Sequence, residues 1–169
     1  MHTLALDAET AAFCAEWVQQ HGATPRVRVA LNTPEVQVQF AREHLRRILV
    51  NLLDNAARYA SERAGAIQVA THAVRHGPAV LMVWSDGAAM EPAVRRHLFE
   101  PFFSSESRSS GLSLFICREL CERHGASVGY ERTSREQNGQ IVEGNEFFVS
   151  FRRAHSGHST FNLQDPQFP

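Results

Sequence analysis

The sequence predicts a two-layer α/β sandwich, in which a mixed, mostly antiparallel sheet is covered on one face by about three helices. Three observations lead there. Segments with alternating apolar residues come in pairs, and segments of helical period separate the pairs. No internal repeat and no Pro- or Gly-rich linker divides the chain. Finally, 169 residues with 43% apolar and 21% charged composition suit one ordinary domain with a real core, and exclude fibrous, low-complexity and wholly disordered classes. The longest unbroken apolar run, Ala79 to Trp84, is far shorter than the roughly 20 residues that span a bilayer, and no basic-apolar leader opens the chain.

The elements follow in order. Asp7 to His21 reads as a helix with Asp7 as its N-cap, an apolar stripe of Phe13, Trp17 and Val18, and Gly22 as its stop. Val27, Val29 and Leu31 alternate, as do Val36, Val38 and Phe40, giving two short strands. The strongest period belongs to Arg42–Ala60, where Leu45, Ile48, Leu49, Leu52, Leu53, Ala56, Ala57 and Ala60 mark one face of an amphipathic helix. Ile67 to Ala73 alternates, His76-Gly77-Pro78 reverses the chain, and Val80 to Trp84 forms an apolar strand. A short helix near Glu91–His97 precedes a polar loop, Ser104–Ser110. Another helix, Leu112–His124, ends at Gly125. Ser127–Arg132 and Glu146–Arg153 form a final hairpin around a turn containing Asn138-Gly139. Residues 1–153 make up the domain, and 154–169 read as a polar, flexible tail.

Charge and cysteine exclude more than they suggest. Seventeen basic residues, all arginine, face 18 acidic ones, so nothing points to a nucleic-acid partner. Cys14, Cys117 and Cys121 lack a CxxC spacing, which argues against a zinc site or a disulfide framework and for small buried side chains.

Chemistry concentrates on the long helix. At about 100° per residue, Asn51, Asn55 and Arg58 fall within an arc of roughly 60° beside the apolar stripe. Two amides and a guanidinium on one strip suit a polyphosphate with its cation: an Asn oxygen can ligate Mg2+, and arginine forks onto phosphate oxygens. Asp86 ends an apolar strand and precedes small residues, where a carboxylate can accept from an exocyclic amino group. Leu98 to Phe103 gathers three Phe and a Pro, and Ser109-Ser110-Gly111-Leu112 opens a helix whose N–H groups favour phosphate.

In this order and spacing the motifs resemble the ATP-binding catalytic domain of bacterial sensor histidine kinases, in the GHKL (Bergerat-fold) ATPase superfamily. Leu45 to Ala56 is similar to that family's N-box, and Leu98 to Phe103 to its F-box. Ser85 to Met90 and Ser109 to Leu114 lie at its two glycine boxes. The brief loop after Phe103 resembles the nitrogen-regulator or pilus-regulator type. The resemblance covers roughly residues 4–153 and implies ATP and Mg2+ as ligands. It makes Asn51 and Asn55 the catalytic pair, with Asn55 on the metal and Asn51 and Arg58 at the phosphates. Tyr59, Asp86, Gly87 and Met90 would surround the adenine, while Phe103, Arg108, Gly111 and Leu112 would complete the nucleotide site. Superfamily members that hydrolyse ATP carry Glu where Asn51 stands. An amide cannot take a proton from water, which fits phosphoryl transfer to a neutral imidazole.

The glycine boxes depart from the family pattern. Asp86-Gly87-Ala88-Ala89 lacks the second glycine, Ser109 and Ser113 replace two more, and Glu106 stands where short-lid relatives often have lysine. Two readings follow. One is a kinase catalytic domain that phosphorylates a histidine on a separate dimerisation domain and serves a response regulator. The other is a degenerate pseudokinase domain with weak or no ATP binding, acting as an interaction or relay module. An anti-sigma-type serine kinase fits less well, because Asn51 cannot deprotonate a serine. No histidine here sits in the family's phosphoacceptor pattern, and His44 reads as a surface or capping residue. The cysteine usage reads as a reducing, cytoplasmic setting, and the resemblance implies a monomeric fragment of a longer protein that a membrane can anchor.

Overall fold

The computed structural model describes residues 2–102 and 110–154. In chain order the elements are β1 (Thr3–Ala5), α1 (Leu6–His21), β2 (Val27–Ala30), β3 (Gln37–Gln39), α2 (Arg42–Tyr59), β4 (Ile67–Ala73), β5 (Ala79–Ser85), α3 (Pro92–Arg96), α4 (Ser110–Arg123), β6 (Ser127–Gln137) and β7 (Gln140–Phe151). The main sheet runs β2-β4-β5-β7-β6, and among its pairs only β2–β4 is parallel. α1, α2 and α4 cover one face, with α2 packed between the other two and against β4 and β5. This is the predicted sandwich.

The core forms where the apolar stripes meet. Leu45, Ile48, Leu49, Leu52 and Leu53 of α2 are wholly buried with Phe13 and Trp17 of α1, Ile67, Leu81, Val149 and Phe151 of the sheet, and Cys117 and Cys121 of α4. Burial pushes the thiols of Cys14, Cys117 and Cys121 up to about 12.

Local expectations differ from the structure in four places. The strands around Val27 and Val38 are not partners. β2 joins β4 in parallel, with α2 as the crossover, and β3 pairs with β1, a three-residue strand too short to show alternation. Asp7 is not a cap. The helix starts at Leu6 after the extended Ala5, and the Asp7 carboxylate accepts from the Thr33 N–H, the Thr33 hydroxyl and the Thr71 hydroxyl, tying α1 to the sheet. The last hairpin is longer than its apolar alternation. Thr133–Gln137 and Gln140–Asn145, mostly polar apart from Ile141, Val142 and Gly144, continue the ladder around Asn138 (φ 54°) and Gly139 (φ 84°), the left-handed pair a tight hairpin turn needs. His44 is half-buried and hydrogen-bonded to His124 at 2.8 Å, so it joins α2 to the end of α4 instead of facing solvent. The expected tail, apart from Ala154, lies outside the described residues.

Candidate functional site

The helix that supplies the core also supplies the polar strip. Asn51 and Asn55 are half-buried on the border of the α2 stripe, with Arg58 and Tyr59 exposed beyond them. The Asn51 amide donates to the Ser113 carbonyl (3.1 Å), which fastens α2 to the first turn of α4. Asn55 and Arg58 make no hydrogen bond or ion pair with any described residue, so an amide and a guanidinium stand ready for a ligand.

Asp86 sits at the end of β5, where its own N–H donates to the Ala66 carbonyl (3.0 Å). Its Oδ1 accepts from the Ser61 N–H (2.7 Å), and its Oδ2 accepts from the Ser61 hydroxyl (2.6 Å) and the Gln137 amide (3.1 Å). Burial raises the carboxyl pKa, but the hydrogen bonds from Ser61, Gln137 and its own N–H together outweigh it, so Asp86 lies below the ordinary carboxylate value and is ionised. Ser61 lies just past the end of α2, so this contact brings the strand-end carboxylate and the amide-bearing helix to the same end of the molecule.

Glycine matters here for space. A Cβ on Gly87 would stand 3.0 Å from the Tyr59 carbonyl oxygen, and one on Gly111 would stand 3.2 Å from the Cα of Phe102. No residue from 87 to 89 has positive φ, so Ala88 and Ala89 follow Gly87 without backbone strain. Ser113 lies within α4, where glycine has no conformational advantage. Gly111 accepts from the Phe102 N–H (2.7 Å), closing the root of the loop between α3 and α4. Met90 packs half-buried against the core, and Leu112 is half-buried on α4. Phe103, Glu106, Arg108 and Ser109 lie outside the described residues.

The sequence reading missed Ser61, Gln137, Arg132 and Asn145. Asn145 donates to the Ala88 carbonyl (2.8 Å), and Arg132 donates to the Gly87 carbonyl (2.8 Å). Only a reading of the hairpin as a long ladder could have suggested them, because its register places Asn145 beside Ser85. A cavity of about 1140 Å3 lies elsewhere, lined by Arg75, His76, Ser127, Ser150, Arg152 and Arg153 among others. It opens at the Ala73–Ala79 end of the sheet, opposite Asp86, so concavity alone would point away from the carboxylate and amides.

Residues 40–155 match the family described as histidine kinase-, DNA gyrase B-, and HSP90-like ATPase. The chain belongs to this family. Within it the relatives are sensor kinases. Sensor protein kinase PilS of Pseudomonas aeruginosa is 33% identical over 117 residues, covering 68% of this chain and 22% of that protein. The signal transduction histidine-protein kinase/phosphatase MprB of Mycolicibacterium smegmatis is 36% identical over 101 residues, covering 57% of this chain and 20% of its own length. This ATPase domain thus spans only about a fifth of the curated relatives it matches. Its fold superposes on the nucleotide-free catalytic domain of histidine kinase ThkA with a TM-score of 0.74 at 20% identity, over 90% of this chain and 95% of that one. The mycobacterial sensor histidine kinase MprB gives a TM-score of 0.70 at 20% identity, over 90% and 100%. At such identity these two likenesses establish the fold.

Proposed function

We propose that this domain binds Mg·ATP between α2 and α4 and delivers the γ-phosphate to a histidine on a separate dimerisation domain of a longer protein, which then serves a response regulator. The single observation that carries the reading is the ionised Asp86, held by Ser61 at the foot of a helix whose Asn55 and Arg58 are unpartnered. The donor set fits the ligand. Asp86 Oδ1 keeps a lone pair for an adenine amino group, Asn55 offers a neutral oxygen of the kind Mg2+ accepts, and Arg58 offers a fork to phosphate. Bound Mg2+ would neutralise phosphate charge. The chain itself orients the nucleotide and keeps a carboxylate away from position 51, so no side chain there activates water.

Tyr59, Gly87, Met90, Gly111 and Leu112, with Phe103 and Arg108, belong to the same proposed nucleotide site. Residues 1–153 form the domain in this reading, with 154–169 as a tail, and the fragment works in the cytoplasm as a monomer. Among the described residues, no helix is long and apolar enough to cross a membrane. The relay-module reading draws on one specific contact, the Asn51 amide spent on Ser113, which takes it from the phosphates.

Titration of a non-hydrolysable ATP analogue with and without Mg2+ tests the proposal. Saturable, Mg2+-strengthened binding is expected, with Asp86→Asn weakening binding in both series and Asn55→Ala removing the Mg2+ increment. Binding that ignores both substitutions, or no binding by the unaltered chain, overturns it.

A further inference from the structure

The glycine-poor loop after Asp86 has a support that its own residues do not supply. Arg132 of β6 and Asn145 of β7 are cross-strand partners, and Asn145 also pairs with Ser85, the last residue before Asp86. Asn145 is buried (5% exposed) and fully engaged: its Nδ2 donates to the Ala88 carbonyl, and its Oδ1 accepts from the Tyr130 hydroxyl and from Arg132 (3.1 Å). Arg132 also donates to the Gly87 carbonyl and has no carboxylate partner among the described residues. Tyr130 in turn touches Phe147 (5.2 Å between centroids) and lies under the Arg95 guanidinium (5.4 Å), while Phe99 meets Phe147 edge-on at 6.1 Å. The start and the end of the 87–99 segment are therefore anchored on the same patch of the β6–β7 hairpin.

Two successive carbonyls pulled toward the sheet fix the peptide planes of Gly87 and Ala88, and with them the path that follows Asp86. A loop rich in glycine can take its shape from the nucleotide it wraps. This loop, with Ala88 and Ala89, is shaped beforehand by side chains beneath it. We propose that Asn145 and Arg132 are positioning residues for the nucleotide site, doing by hydrogen bonding from below what the missing glycine does by conformational freedom. The proposal rests on the nucleotide-binding reading above.

Asn145→Asp is the discriminating change, because it keeps the acceptor for Tyr130 and Arg132 but sets an oxygen against the Ala88 carbonyl in place of a donor. The full chain would be compared by thermal unfolding, by 15N heteronuclear NOE of amides 87–90, and by titration with the ATP analogue and Mg2+. The expected result is an unfolding temperature close to the unaltered chain, loosened 87–90 amides, and about tenfold weaker binding, the scale of one lost hydrogen bond. Arg132→Gln should act in the same direction, and Arg132→Lys should restore part of the affinity through a single donor. It also serves if Asn145→Asp fails to fold. Ile141→Ser, on the exposed side of the hairpin, should change nothing. If the unaltered chain binds and both brace variants bind as well, the positioning role is wrong while the nucleotide reading survives. No binding by the unaltered chain overturns both, and the NOE then reports the brace as purely structural.

Discussion

Ser61→Ala removes the hydroxyl contact that joins the strand-end carboxylate to the amide-bearing helix, together with a longer one in which the hydroxyl accepts from the Arg63 N–H (3.2 Å). The substitution removes the hydroxyl that donates to Asp86 Oδ2 at 2.6 Å, leaving that oxygen only the Gln137 amide at 3.1 Å, and it keeps the Ser61 N–H on Oδ1. A hydrogen bond to a charged acceptor contributes about 1.5–3 kcal/mol. Asp86 is half-buried, so water recovers part of that, and a net loss of about 1–1.5 kcal/mol is expected at pH 7. For a domain of this size that is a fall of about 3–5 °C in Tm. The sign with pH is fixed. The Asp86 pKa is depressed in the folded state, so its contribution is present above the unfolded carboxylate value of about 3.9 and disappears as pH falls through the lower folded value. The variant and the unaltered chain should therefore converge in acid. Urea unfolding followed by tryptophan fluorescence, at pH 7 and at several values below 4, measures this. A variant as stable as the parent at pH 7, or a deficit unchanged into acid, would refute the claim that the hydroxyl holds a carboxylate. Ser61→Thr, which restores the hydroxyl, should recover most of the loss.

Two further outcomes follow from titratable groups that burial shifts. Because burial holds Cys14, Cys117 and Cys121 up to about 12, a thiol reagent at pH 8 should find almost no thiolate in the folded chain and three reactive thiols in urea. Burial, helped by the nearby His44 and Arg123, lowers the pKa of His124, so the folded state favours its neutral form. Stability should decline as pH falls below the unfolded histidine value of about 6.5, and His124→Gln should flatten that decline in urea titrations between pH 8 and 5. An equally steep decline in His124→Gln would assign it to other groups.

Much of the fold was legible because apolar period and packing coincide. The stripe Leu45–Leu53 is the stripe that is buried, and the alternation in Ile67–Ala73 is the face that meets α2. Legibility failed where polar pairs carry the structure. Asp7 looked like a cap because caps and buried carboxylates use the same residue type, and only the fold brings Thr33 and Thr71 to it. The ladder from Thr133 to Asn145 was hidden because its hydrogen bonds are backbone bonds and, Ile141 and Val142 apart, its side chains carry no apolar alternation. At the candidate site, Asn55, Arg58 and Asp86 could be picked out by spacing and strand position. Ser61, Gln137, Arg132 and Asn145 could not, since each matters through a partner at least 13 residues away in sequence, the shortest such separation being that of Arg132 and Asn145.

The placement of these partners explains why one helix can serve both core and site. α2 is held on its apolar side by wholly buried leucines, at its N-terminal half by His44 against His124, at its centre by Asn51 against Ser113, and just past its end by Ser61 against Asp86. The side chains left without partners on the polar border, Asn55 and Arg58, are bracketed by the last two contacts. Fixing a helix on both sides of an unpaired amide keeps that amide in place without using its own hydrogen-bonding capacity, and that capacity is what a metal–phosphate ligand requires. Slackening either bracket should therefore weaken ligand binding more than it lowers stability. The Asn51 latch bears this most directly, because it joins the two helices that would form opposite walls of the nucleotide cleft.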